Sequence, residues 1–243
     1  MRLDVYLFSN NLVDSRTDAK NFILNGAVTV NGRIVKKPSF EIGDGEMIAV
    51  DKSGKRYVSR GGLKLERALD EFNIDPSGLV ALDVGASSGG FTDCLLKRGA
   101  THVIAVDSGS GQMLQSLRDD PRVTVIENFN ARYMSRDDFD RIPDIAVMDV
   151  SFISAKLIMP AVYFVLKDSG IFVCLIKPQF EVGRSGLNKR GIVKNETIRK
   201  NAVDDVINVA RAIGFENLGI IESPILGGDG NTEYLSYFIK KNN

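Results

Sequence analysis

From Leu79 onward, short apolar runs alternate with longer stretches in which apolar residues recur every three or four positions. The runs are Val80–Val84, Val103–Val106, Val123–Ile126, Ile145–Asp149 and Ile171–Lys177, each of a length and β-branched content that suits a buried strand. The stretches between them predict helices that end at Arg98, at about Asp119 and at about Leu166. This rhythm predicts an α/β fold, a mostly parallel sheet with helices on both faces, whose ligands bind at the carboxyl ends of the strands. A long helix at about Glu196–Ile213 follows, then strands at about Leu218–Glu222 and Tyr234–Ile239, with Glu233 at the start of an edge-like strand.

The first sixty residues carry a different pattern. Ser15 is a good helix N-cap with Asp18 three residues on, Ala19, Phe22 and Ile23 share a face, and Gly26 ends the helix. Ala27–Val30 and Arg33–Val35 then flank Asn31-Gly32, a pair that tolerates positive φ and favours a tight hairpin. Residues 51–58, polar and glycine-containing, read as a linker between a small α+β domain, 1–50, and a larger one, 59–243.

Composition changes this picture little: of 243 residues, 44% are hydrophobic and 26% charged, as expected of a globular protein. The longest apolar stretch, Ile171–Ile176, is far too short for a membrane span, and the N-terminus lacks the zones of a signal peptide, which predicts a cytoplasmic protein. Charge adds more. Net charge is zero, but residues 1–64 hold 11 Lys and Arg against 7 Asp and Glu, so the first quarter is the part suited to a polyanion. Arg16 and Lys20, one helical turn apart, and Arg33, Lys36 and Lys37 on the hairpin could meet a phosphate backbone or form a solvated charged face. With His102 as the only histidine, and Cys94 and Cys174 lacking metal-ligand neighbours, no metal site or Ser-His-Asp triad is expected.

Candidate chemistry gathers at the predicted strand ends. After the first strand comes Asp83-Val-Gly85-Ala86-Ser87-Ser-Gly89-Gly90-Phe91, whose glycines permit a sharp turn and a close approach to a nucleotide-like ligand at a helix N-terminus. A dinucleotide-binding turn would place a second glycine at position 87, where Ser87 stands, so the pyrophosphate grip is not matched. Asp107, 22 residues after Gly85, is placed to accept ribose hydroxyls. Asn130, Asp149 and Lys177 follow the next three strands on the same rim: an amide suited to an adenine edge, and two charged groups beyond it where a substrate would arrive.

Two resemblances rest on these residues. Arg2-Leu-Asp-Val-Tyr, Asp14-Ser-Arg16, Ala19-Lys20, Gly26–Gly32 and Val35-Lys-Lys-Pro38 resemble the alpha-L ("S-four") RNA-binding domain over about residues 2–50. Ser59-Arg60-Gly-Gly-Leu-Lys64-Leu, Leu82–Asp93, Asn130-Ala-Arg132, Asp149–Ser154, Ile176–Gly183 and Gly230–Tyr234 resemble the TlyA family, often labelled hemolysins, in which that domain precedes a methyltransferase domain of the FtsJ-like ribose 2′-O class. The resemblance implies a Rossmann-like class I fold and S-adenosylmethionine held by Asp83, Gly85, Ala86, Ser87, Gly89, Gly90, Phe91, Asp107 and Asn130. It implies a catalytic Lys-Asp-Lys-Glu tetrad at Lys64, Asp149, Lys177 and Glu233, with ribosomal RNA or ribosomal subunits as partner and cytidine ribose as target. Arg2 and Arg60 join Arg16, Lys20, Arg33, Lys36 and Lys37 as RNA-facing residues. One departure is Ser110, where the family more often has an aromatic residue.

Other functions compete. Asp149-Val-Ser-Phe152 faintly resembles an amino-methyltransferase motif, but both of its prolines are absent. A membrane-active hemolysin needs an apolar span or basic amphipathic helix, and neither is found. An RNA-binding protein without catalysis would not need all four tetrad positions filled. The residues leave open whether Lys177 acts as a neutral base or a charged orienter.

Overall fold

The computed structural model describes residues 1–24, 26–43, 45–51, 56–227 and 230–242, which form two units, Met1–Ser59 and Arg60–Asn243. Of the expected linker, 51–58, residues 52–55 lie outside those described.

In the first unit, α1 (Leu3–Ser9) and α2 (Arg16–Leu24) accompany a three-stranded antiparallel sheet of β1 (Val28–Val30), β2 (Arg33–Ile34) and β3 (Ile48–Val50), ordered β2-β1-β3. Ser15 Oγ accepts the Asp18 N–H at 3.0 Å at the start of α2, and Gly26, at φ 75°, follows its end. The hairpin turn has Asn31 at φ 50° and Gly32 at φ 77°, with Val30 opposite Arg33, as the Asn-Gly pair predicts. Leu3, Leu7, Ala19, Ile23, Val28 and Val30 close the core. The pairing of β3 with β1 shields the side of β1 that a lone hairpin would leave open.

The second unit opens with α3 (Gly61–Glu71), followed by β4 (Val80–Val84), α4 (Gly90–Lys97), β5 (His102–Val106), α5 (Gln115–Arg118), β6 (Val123–Ile126) and β7 (Ile145–Met148). The remainder is α6 (Met159–Val165), β8 (Ile171–Ile176), α7 (Pro178–Glu181), α8 (Glu196–Ile213), β9 (Phe215–Glu222) and β10 (Tyr234–Lys240). The seven-stranded sheet runs β6-β5-β4-β7-β8-β10-β9, parallel through β8 and antiparallel at β10 and β9. Phe172, Phe215 and Phe238, all fully buried, pack their rings 5.2–5.9 Å apart in its core.

Two expectations need correction. The helix expected to reach about Asp119 is a single turn, α5, because the chain before it gives its N–H groups to side chains: Gly109 to Asp107 Oδ1 (2.7 Å) and Gly111 to Glu127 Oε1 (2.9 Å). The strand after Glu233 is internal, because β9 folds back beyond β10 and becomes the edge.

Chain order reverses direction at β4, with β5 and β6 added on one side and β7 and β8 on the other. Gly85 stands at this divergence at φ 84°, and a Cβ there would lie 2.5 Å from the carbonyl oxygen of Asp149. Gly85→Ala therefore combines a left-handed backbone conformation with a backbone collision. It is expected to destabilise the fold by about 1–3 kcal/mol or more, read as a lower denaturation midpoint in urea.

Candidate active site

The carboxyl ends of β4, β5, β6 and β7 surround a cavity of about 380 Å³. Gly85, Ser87, Asp107, Ser108, Gln112 and Asn130 line one part of it, and Asp149, Val150, Ser151 and Phe152 another. Among the described residues, its lining contains two carboxylates, Asp107 and Asp149, and neither Lys nor Arg. Ser87 adopts φ 47°, the conformation a glycine would favour, and donates its N–H to Asp107 Oδ2 at 2.8 Å. The backbone donor that could grip a phosphate is thus committed to an acid. Asp107 also accepts from Gly109 N at 2.7 Å, which holds the carboxylate at the cavity wall. Asn130 Oδ1 caps a short 3₁₀ turn through Arg132 N at 3.2 Å, leaving its amide nitrogen for other partners. Gly89, Gly90 and Phe91 belong to the start of α4 and Ala86 to the turn before it, where they shape the loop while Gly85 and Ser87 face the cavity. Ser110 is exposed, whereas its neighbours Ser108 and Gln112 line the cavity.

Beside the cavity are two ion pairs. Lys177, directly after β8, places Nζ 2.5 Å from Asp149 Oδ1 and donates to Ser151 Oγ at 2.8 Å. Lys64 on α3 reaches Glu233 Oε2 at 2.6 Å, both side chains nearly buried, and Gln179 Nε2 donates to Glu233 Oε1 at 3.2 Å. Because Tyr234 pairs with Ile176, Glu233 comes to the rim opposite Lys177, so the two pairs stand on neighbouring strand ends. The structure thereby assembles Lys64, Asp149, Lys177 and Glu233 from four separate segments. Ser151 and Gln179, which hydrogen-bond to these pairs, carry no sequence signal beyond lying within Asp149–Ser154 and Ile176–Gly183. Phe152 is 92% exposed at φ 64°, with its ring 5.2 Å from that of Phe180.

The basic residues of the first unit stand differently. Arg16, Lys20, Arg33, Lys36 and Lys37 are exposed. Arg2 instead makes two hydrogen bonds to the buried Asp4, from Nε at 2.9 Å and Nη2 at 2.8 Å, and these hold the Asp4 carboxyl below its usual range. Arg60 belongs to the second unit, exposed at the start of α3 and one turn before Lys64.

Asp83 lies within β4, fully buried, and accepts from Thr92 Oγ1 at 2.6 Å. Burial raises its carboxyl from the ordinary 3.8 to about 7, aided by the charges of Asp149 and Asp107 and opposed by the Thr92 hydrogen bond. Between these values the unfolded chain has released the proton and the folded chain has kept it. Stability therefore falls as pH rises from about 4 to about 7, by up to about 1.4 kcal/mol per unit, and levels off above. Asp83→Asn, which cannot titrate, is expected to remove this slope in urea unfolding measured from pH 5 to 8; parallel slopes for the two proteins would refute it.

Comparison with known proteins bears on the family and the domain pairing. The FtsJ-like methyltransferase model matches residues 57–240 and the S4 domain model residues 1–48. The chain is 44% identical to hemolysin A of Brachyspira hyodysenteriae over 98% of its length and all of that protein. It is 40% identical to the 16S/23S rRNA (cytidine-2′-O)-methyltransferase TlyA of Mycobacterium tuberculosis over 96% of this chain and 87% of that one. A solved structure of a Streptococcus thermophilus protein described as a hemolysin superposes with a TM-score of 0.81 at 42% identity, covering 100% of this chain and 89% of that one. The chain belongs to the FtsJ-like methyltransferase family, in the TlyA group that joins such a domain to an N-terminal S4 domain.

Proposed function

We propose that this protein transfers the methyl group of S-adenosylmethionine to a ribose 2′-hydroxyl of ribosomal RNA, with cytidine as the target nucleotide. The observation that carries the reading is the cavity at the β4/β7 divergence, lined among the described residues by Asp107 and Asp149 and by neither Lys nor Arg, with the Lys177–Asp149 and Lys64–Glu233 pairs beside it. A sulfonium cofactor with vicinal ribose hydroxyls suits such a lining; a pyrophosphate, facing Asp107 and a Ser87 N–H already in use, does not. Asp107 would hold the ribose and Asn130 the adenine edge. The bound cofactor supplies an activated methyl group, so the protein's task is to align the hydroxyl with it and to manage one proton.

Lys177 is the residue placed for that task. Asp149 and Ser151 fix its Nζ from two sides, which aims the group without closing it off. As the ribose oxygen takes the methyl, the bond from that methyl to sulfur breaks with its electron pair staying on the thioether. The hydroxyl proton passes to Lys177 if the amine is neutral, or to water while a charged Lys177 offsets the charge on the oxygen. Lys64 and Glu233, tied together and to Gln179, hold the neighbouring strand end in register with Lys177. Phe152 offers an exposed ring at the cavity mouth on which a base can stack. Support for RNA as substrate comes from the S4 domain, from the exposed cations Arg16, Lys20, Arg33, Lys36 and Lys37, and from the activity named for the mycobacterial relative. No helix among the described residues is long and apolar enough to cross a membrane.

The test is transfer from methyl-labelled S-adenosylmethionine to ribosomal subunits of a strain lacking this gene, with nucleoside mass analysis. Methyl on cytidine ribose is expected, and methyl on a base would refute the reading. Lys177→Ala is expected to lower turnover by about 10²–10⁴-fold and to leave cofactor affinity nearly unchanged. Lys177→Arg separates the two roles: it keeps turnover if the charge is what matters and loses it as Ala does if the lysine must accept the proton.

A further inference from the structure

Between α7 and α8 lies a small hairpin outside the machinery described so far. Leu187 and Val193 form an antiparallel bridge, and Asn188 Oδ1 accepts from Arg190 N at 2.8 Å and Ile192 N at 3.1 Å. Asn188 N donates to Ile192 O at 2.8 Å and Gly191 sits at φ 76°, so the turn is tightly closed with Lys189 and Arg190 at its tip. Arg184, Lys189, Arg190 and Lys194 are all exposed, and no acidic residue occurs between Glu181 and Glu196. None of the four has a carboxylate partner among the described residues.

A loose basic loop would be an ordinary solvated surface. This one is anchored. Asn231, only 2% exposed, accepts from Val193 N at 3.1 Å and donates from Nδ2 to Gly191 O at 3.1 Å. Asn231 lies two residues before Glu233, and the other foot of the hairpin leaves Lys177 through α7. One foot thus follows the strand end that carries Lys177, and the other, at Val193, is tied to the segment that leads to Glu233 before the chain enters α8. Four cations within eleven residues, with no acidic residue among them, give a locally positive surface that suits an incoming polyanion.

We infer that this hairpin is an RNA contact within the methyltransferase unit: Lys189 and Arg190, supported by Arg184 and Lys194, grip phosphates of the RNA strand delivered to the rim. The inference rests on the reading of RNA as substrate. It assigns the hairpin to substrate placement, as distinct from cofactor binding or the chemical step.

The test uses the full-length protein with Lys189→Ala and Arg190→Ala combined, and a charge-reversed pair, Lys189→Glu with Arg190→Glu. The expected result is a KM for RNA raised on the order of tenfold, more for the reversed pair, with kcat at saturating RNA and cofactor affinity nearly unchanged. The slope of log KM on log salt should fall by about 2, one for each phosphate contact removed. An unchanged KM and salt slope would overturn the inference, as would a loss of kcat at unchanged KM. If the unaltered protein transfers no methyl to RNA, the functional reading fails on its own. RNA affinity and its salt slope, measured by filter binding, then decide the hairpin separately: weakened binding with a smaller slope supports it, and binding equal to that of the unaltered protein overturns it.

Discussion

Everything at the rim depends on how closely the backbone approaches itself where β4 and β7 diverge. Adjacent parallel strands whose connections leave in opposite directions open a crevice at their carboxyl ends. Gly85 lets the chain turn out of β4 while the Asp149 carbonyl stands where a side chain would be. The glycine turn and the loop bearing Asp149, Ser151 and Phe152 are therefore one packed unit, and a shift in either is felt by the other. Glu181 reinforces it from α7, accepting from Ser154 Oγ at 2.5 Å and Ala155 N at 2.7 Å.

Charge is distributed over this frame so that little of it is left unbalanced. Asp149 faces Lys177, Glu233 faces Lys64, Asp107 is surrounded by backbone N–H groups, and burial favours the protonated form of Asp83. A buried ion pair adds little net stability, because desolvation offsets much of the attraction, whereas removing one partner leaves a costly lone charge. The pairs at this rim thus fix geometry more than they add stability. The Lys64–Glu233 pair joins residues 169 positions apart and secures the first helix of the unit to the strand that enters beside Lys177.

The two units show different uses of the same residue types. In the first, exposed cations decorate a small hairpin and helix, and Arg2 is committed to the buried Asp4. In the second, Lys64 and Lys177 are drawn inside against carboxylates, whereas Lys189 and Arg190 are displayed together on the hairpin. A cation's surroundings, more than its presence, separate positioning from recognition of a polyanion.

Most of the architecture could be read along the chain, because buried parallel strands are nearly continuous apolar runs and Gly, Asn and Ser mark the turns. The Asn31-Gly32 hairpin, the Ser15 cap and α8 at Glu196–Ile213 all form where local chemistry dictates. Local pattern misplaced what distant partners decide. The segment after β5 forms only one helical turn, since Asp107 and Glu127 take its N–H groups, and β10 is internal because β9 folds back beyond it. In the same way, motif resemblance supplied Lys64 and Glu233 as candidates, but only the register of β10 against β8 brings Glu233 beside Lys177, and only the packing of α3 carries Lys64 to it. Sequence thus determined the strand–helix order, the glycine turn and the identity of the charged groups, which are local properties. Tertiary structure alone decided which charges meet and which backbone donors are already spent, because those depend on contacts between residues far apart in the chain.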